Sequence, residues 1–328
     1  MHNIEIRDGV AQHVYVGEVP WHGLGRRVPA DLAPDQTLKS AGLDWQVYKS
    51  PLTTTDPDGN ALLVPDRAAL IRDVDHSVLD VIGEGWEPLQ NDIAFGFFDE
   101  FVRAGGMQMH TAGSLKGGRI VWALAKMSES FDVLGLEDRV DSYMLFTNPH
   151  SYGQSIDVRF TPIRVVCNNT LAMALRQGSA NAVRVNHKRA FDAGSVKEAL
   201  GLANFKLHRY KEAADLLASK RFNVQDLLRY YATVYPSADA TTKIKAGERL
   251  LVDDVSCNAL RCMELIDVQP GSEFARGTWW QAFNAITYAT QHVFGRTPDT
   301  RMQSAWYGAN QQKQLSALNL ALEFAEAA

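Results

Sequence analysis

The chain has 328 residues, 46% of them hydrophobic and 22% charged, an ordinary globular balance that excludes a disordered or fibrous polypeptide. A formal net charge of −5 offers no long-range attraction to nucleic acid, and three cysteines are too few for a disulfide framework. The charged opening MHNIEIRDGV does not read as a signal peptide, and no apolar window reaches the roughly 18 residues a membrane helix needs, so a cytoplasmic protein without a membrane partner is expected.

In chain order, Trp21-His22-Gly23-Leu24-Gly25 reads as a tight turn beside an aromatic anchor. The turn formers Thr54 to Asn60 separate two expected strands, around 45–52 and 60–65, and a third is expected at Val78 to Ile82. Helical spacing of Ile93, Ala94, Phe97, Phe98 and Phe101 predicts a helix over 91–103 with one face packed inward.

The middle is the clearest block. Strands are expected at 106–112 and 118–125, then at 141–147 and 155–162, each pair joined by turn-forming residues as in hairpins. Asn168 or Asn169 then caps an expected helix bearing Leu171, Ala174 and Leu175. From about residue 196 the chain reads as helical, with helices at 205–217, 223–235 and 254–266. Another is expected after Thr278, with Gln281 closing a capping box, and a last one at 311–324. The fold class is therefore α+β: a central antiparallel β-sheet with helices packed on one face and a mostly helical C-terminal region. A boundary near 195 divides a β-rich part, 1–195, from a helical part, 196–328, packed onto the same core.

Charge is unevenly placed. Residues 1–100 carry 7 Lys/Arg against 17 Asp/Glu, whereas residues 181–230 carry 10 against 5. The basic stretch holds Arg184, His187, Lys188, Arg189, Lys206, Arg209 and Lys211, with Phe205 and Tyr210 interleaved. Bases can stack on such rings while cations meet the backbone, but the same rings serve equally as core anchors of a helix.

Gly113-Ser114-Leu115-Lys116-Gly117-Gly118-Arg119 lacks the Walker spacing and reads as a hairpin tip whose Lys116 and Arg119 can reach phosphates. Arg164 either pairs with a carboxylate inside the fold or meets a phosphate outside it. Asn284, Tyr288 and His292 recur every fourth residue and share a helical face, either a polar ligand surface or a buried hydrogen-bond seam. The cysteines Cys167, Cys257 and Cys262 read as buried thiols, and Cys257 and Cys262 lack zinc-knuckle spacing. No catalytic triad, metal site or cofactor loop is visible, so neither cofactor nor metal is expected and a non-enzymatic role is favoured.

Taken together, the Trp21–Gly25 and Gly113–Arg119 motifs, the stretch Thr161 to Leu171, and Gly277-Thr278-Trp279-Trp280 with Asn284, Thr287 and Tyr288 resemble the DUF932 family of phage/plasmid-related proteins of unknown function. The resemblance covers roughly residues 1–310 and implies a bacterial cytoplasmic setting on a mobile element. The hairpin-rich middle followed by a helix is also similar, at fold level, to Rad52-like single-strand annealing proteins. That similarity implies phosphate contacts at Lys116, Arg119, Arg164, Lys188 and Arg189, and equivalent subunits in a homo-oligomer lined along one strand. The expected function is single-stranded DNA binding or annealing in recombination or element maintenance. The alternative is a host-protein interaction or anti-defence role.

Overall fold

A computed structural model describes residues 4–17, 23–154, 156–164, 169–170, 173–174, 193–295, 301, 304–306 and 308–328. Short strands β1 (Ile6–Arg7) and β2 (Val10–Ala11) form a hairpin ahead of β3 (His13–Tyr15), β4 (Arg26–Arg27) and helix α1 (Pro34–Ser40). Strands β5 (Val47–Thr55), β6 (Ala61–Arg72) and β7 (Val78–Gly83) then build an antiparallel sheet of their own. After helix α2 (Asn91–Ala104) come β8 (Gln108–Leu115), β9 (Ile120–Asp132), β10 (Arg139–Pro149) and β11 (Asp157–Arg164). These four form an antiparallel meander, extended by β3 and β4 beyond β8 and by β12 (Asn169–Thr170) and β13 (Met173–Ala174) beyond β11. The β3–β4 pair is parallel.

Strand alternation gives this sheet two different faces. Val121, Ala123, Ala125, Met144, Phe146, Val158 and Phe160 point into the main core. There Phe98 of α2 stacks on Phe146 at 5.0 Å between ring centroids, and Phe95 meets the same ring edge-on at 5.8 Å. The helix shows the inward face its spacing predicts, built on Ala94, Phe95, Phe97, Phe98 and Phe101, but Ile93 is 57% exposed. The opposite face carries Ile120, Trp122, Leu124, Tyr143 and Leu145 in a smaller cluster closed by Trp306, whose ring meets Trp122 at 5.2 Å.

The C-terminal region contributes α3 (Ala193–Ser219), α4 (Val224–Val234), α5 (Ala238–Ala246), α6 (Cys257–Leu265), α7 (Trp279–Tyr288) with a π-helical turn over 289–293, and α8 (Ala309–Ala327). One cluster of buried apolar side chains runs from Val14 to Ala325 and takes residues from sheet and helices alike. Trp280 fastens the two: its indole Nε1 donates to Asp138 at 2.7 Å, where both residues are fully buried, and its ring lies edge-on to Tyr210 of α3.

Three local expectations are corrected. No helix follows β11 at the described positions: Thr170 and Asn169 pair with Ile163 and Arg164, and Met173 and Ala174 pair with Phe160 and Arg159. The open edge of β11 supplies unsatisfied backbone groups, and pairing with them wins over local helix propensity. Asn168 lies outside the described residues. The capping box at Thr278 does not form, because Thr278 donates to Ala275 O and Gln281 accepts from Gly277 N instead. Cys257 is exposed, while Cys262 is buried and its thiol is pushed up to about 12 by desolvation; Cys167 lies outside the described residues.

Candidate nucleic-acid interface

The connection between β8 and β9 is a four-residue turn, Lys116 to Arg119, since Leu115 pairs directly with Ile120. Three successive residues take positive φ: Lys116 at 54°, Gly117 at 64° and Gly118 at 92°. Glycine adopts this region freely, but a lysine there is strained by about 1–2 kcal/mol. The turn holds that shape because a buried ionic network lies beneath it. Arg72 Nη1 donates to Glu5 Oε1 at 2.5 Å, and Ser114 Oγ donates to Glu5 Oε2 at 2.7 Å. The other side of the guanidinium grips Asp75 through Nε and Nη2, and Arg72 also lies over the Trp45 ring at 5.2 Å. A Cβ on Gly118 would come within 2.6 Å of Arg72 Nη1, so the turn sits directly on this arginine.

Lys116 and Arg119 point away from that network. Both are exposed, and among the described residues neither forms an ion pair. This distinguishes them from Lys126 and Arg139, both paired with Asp141, and from Arg159, paired with Asp157.

The meander brings a second turn alongside. Ile120 pairs with Pro149, and His150 N donates to Arg119 O at 2.8 Å, so the β10–β11 connection is joined to the β8–β9 turn. That connection presents Tyr152, 52% exposed, with the guanidinium of Arg67 at 5.8 Å from its ring centroid. The ring lies against Gly83, where a Cβ would meet it at 3.2 Å, and Tyr152 N donates to Asp80 Oδ2. One end of the sheet thus carries two cations on a pinned turn, an exposed ring and a third cation over that ring.

The other expected contacts are not collected here. Arg164 is the last residue of β11, opposite Val140, and so lies roughly 20 Å along the strand from the turn end. Lys188 and Arg189 lie outside the described residues. In the described part of the basic stretch, Arg209 pairs with Glu212 and Lys211 with Asp215, which is the pattern of a solvated helical face. Tyr210 is buried in the core, whereas Phe205 is 62% exposed. Asn284 is buried, and its Nδ2 donates to Trp280 O at 2.8 Å. Tyr288 and His292 are half-buried, with ring centroids 4.8 Å apart.

Arg67 and Tyr152 escape sequence reasoning because they are 85 positions apart and meet only where β6 lies against the β10–β11 connection. The one local signal was the turn composition around Tyr152, Ser151 to Gly153. Among the described residues no group of three His, Cys, Asp or Glu side chains could hold a metal ion, and no helix is long and apolar enough to cross a membrane.

The fold defines an α+β protein organised on an antiparallel meander, with helices on one face and a paired-turn end displaying exposed cations. Residues 78–314 match the family described as Domain of unknown function (DUF932), and the chain belongs to that family. No curated protein and no solved structure matches the chain, and nothing confirms the expected similarity to Rad52-like annealing proteins.

Proposed function

We propose that the chain binds single-stranded DNA at the paired-turn end of the meander, in the service of recombination or maintenance of a phage or plasmid. The observation that carries this reading is the placement of Lys116 and Arg119, exposed and without an ion-pair partner among the described residues, on the turn joined to the connection that presents the exposed Tyr152 ring. Cations without carboxylate partners are available to phosphates, and an exposed ring offers a stacking surface to an unpaired base. A duplex keeps its bases stacked internally and gains nothing from the ring, so the arrangement favours single strands.

The test is a titration of labelled single-stranded and duplex DNA at several salt concentrations, with Lys116→Gly, Arg119→Gln and Tyr152→Ala. Single-strand binding should weaken as salt rises, and the two cation variants together should lower the salt slope by about 1–2. Tyr152→Ala should cost about 1–3 kcal/mol on single strands and leave duplex binding unchanged. Binding indifferent to all three substitutions would remove the turn end from consideration.

A further inference from the structure

The paired-turn end draws its side chains from three separate stretches: Lys116 and Arg119 from the β8–β9 turn, Tyr152 from the β10–β11 connection, and Arg67 from β6. One buried carboxamide joins the supports of these stretches. Asn91, the first residue of α2, is 1% exposed. Its Nδ2 donates to Leu43 O at 3.0 Å and to Trp45 O at 3.4 Å, in the segment that leads into β5. Its Oδ1 accepts from Asn148 Nδ2 at 3.0 Å and from His150 Nε2 at 2.9 Å, where β10 passes into the connection that presents Tyr152. All four hydrogen-bonding positions of the carboxamide are thus filled. Carbonyl oxygens only accept, so the nitrogen must face Leu43 and Trp45, and the oxygen left facing His150 puts that imidazole's proton on Nε2. Gln90, the preceding residue, completes the grip on β5 by accepting from Val47 N and donating to Val47 O. The buried His150 ring packs on Trp45 at 5.0 Å, and Trp45 lies against Arg72, the arginine beneath the β8–β9 turn.

We infer that Asn91 and His150 are positioning residues, which hold Tyr152 and Arg67 in place beside Lys116 and Arg119, a role that rests on the DNA-binding reading of that end. Both are buried, so neither touches a strand; they act through the turns they fix. Asn91 ties the entry to the sheet that carries Arg67 to the end of β10 that carries Tyr152. His150 extends the tie to the cationic turn, since its main-chain N donates to Arg119 O. A filled hydrogen-bonding group in a buried site admits few arrangements of the segments it joins, whereas apolar packing alone would let the two turns shift against each other. A base stacked on Tyr152 and a backbone held by Lys116 and Arg119 must be met together, so the spacing of the turns decides how many contacts a strand makes at once.

His150→Leu removes the Nε2 donor but leaves the main-chain bond to Arg119 and keeps Asn148 on the Asn91 oxygen, so the chain should fold, as a thermal melt reports. His150→Gln also lacks the ring but restores an amide donor. Hydrogen exchange of the free full-length chain is read at single amides. In His150→Leu the amides of residue 150 and Tyr152 should exchange at least about tenfold faster, with Met144 and Phe146 in the middle of β10 unchanged. His150→Gln should stay within about threefold of wild type at the same amides. Titration of labelled single-stranded DNA then reads the consequence. Tyr152→Ala should weaken binding at least about fivefold in the wild-type background and less than about twofold in His150→Leu, because a loosened ring no longer stands beside the cations. Unchanged exchange at residue 150 and Tyr152, or faster exchange spread evenly along β10, overturns the inference. So does an equal cost of Tyr152→Ala in both backgrounds, which would leave the network a purely structural part. Wild type that binds no single strands at low salt sinks the DNA-binding reading instead, and the exchange result still decides whether His150 holds the turns.

Discussion

At the residue scale the turn's stability depends on what lies under each glycine. Gly117 and Gly118 both have positive φ, but only Gly118 has a neighbour where a Cβ would go, Arg72 Nη1 at 2.6 Å. Gly117→Ala should therefore cost only the left-handed strain, about 1 kcal/mol. Gly118→Ala adds displacement of a buried ion pair and should cost about 2–4 kcal/mol in urea unfolding. Equal costs would mean that Arg72 yields freely to the turn. Lys116→Gly reverses the usual confusion between folding and function. It removes a charge while relieving a strained backbone, so stability should change by less than about 1 kcal/mol while DNA affinity falls. A variant that loses stability and binding together would show that Lys116 acts through the fold. The sequence displayed this turn by composition, yet Arg72 beneath it was invisible, because it lies 46 positions from Gly118 and its partner Glu5 is a further 67 positions away from it.

At the element scale two carboxylate and imidazole environments set the acid response. The hydrogen bonds from Arg72 hold the Asp75 carboxyl well below its ordinary 3.8. Its contribution is full above 3.8 and is lost progressively as pH falls below that value. On the other sheet face, burial and then the nearby Lys126 charge depress His110 below its ordinary 6.5. An imidazole held neutral in the fold costs stability as pH falls below 6.5, because the unfolded chain takes up the proton first. His110→Gln should flatten the stability profile between about pH 6.5 and the depressed value, and Asp75→Asn should flatten it only below about pH 4. Urea midpoints across pH check both, and a His110→Gln profile that still bends near neutrality assigns that bend elsewhere. Hairpin strands were legible from alternation and turn residues, and the core face of α2 from Phe spacing. The strands after β11 were not, because the edge that recruits Asn169 and Thr170 exists only once the sheet is assembled.

At the scale of the whole molecule, charge separates into two neighbouring fields. The sheet of residues 44–87 is acidic and adjoins the cationic turn end through Arg67, which belongs to β6 yet lies over Tyr152 of the other sheet. Net charge counts along the sequence showed the acidic third but not that it borders Lys116 and Arg119, since adjacency arises from sheet packing. Carboxylates near a polyanion site repel it at distances comparable to the Debye length, about 10 Å at 0.1 M salt. Asp58, Asp66 and Asp73 have no ion-pair partner among the described residues. Asparagine suits the positive φ of 59° at Asp66 and retains the oxygen by which Asp73 accepts from Gln46 N. Converting all three to asparagine should strengthen single-strand binding about two- to fivefold at low salt. The gain should vanish near 1 M, where the screening length falls to about 3 Å. An unchanged DNA affinity at low salt would place the strand's path away from the acidic sheet and leave the turn end to act on its own.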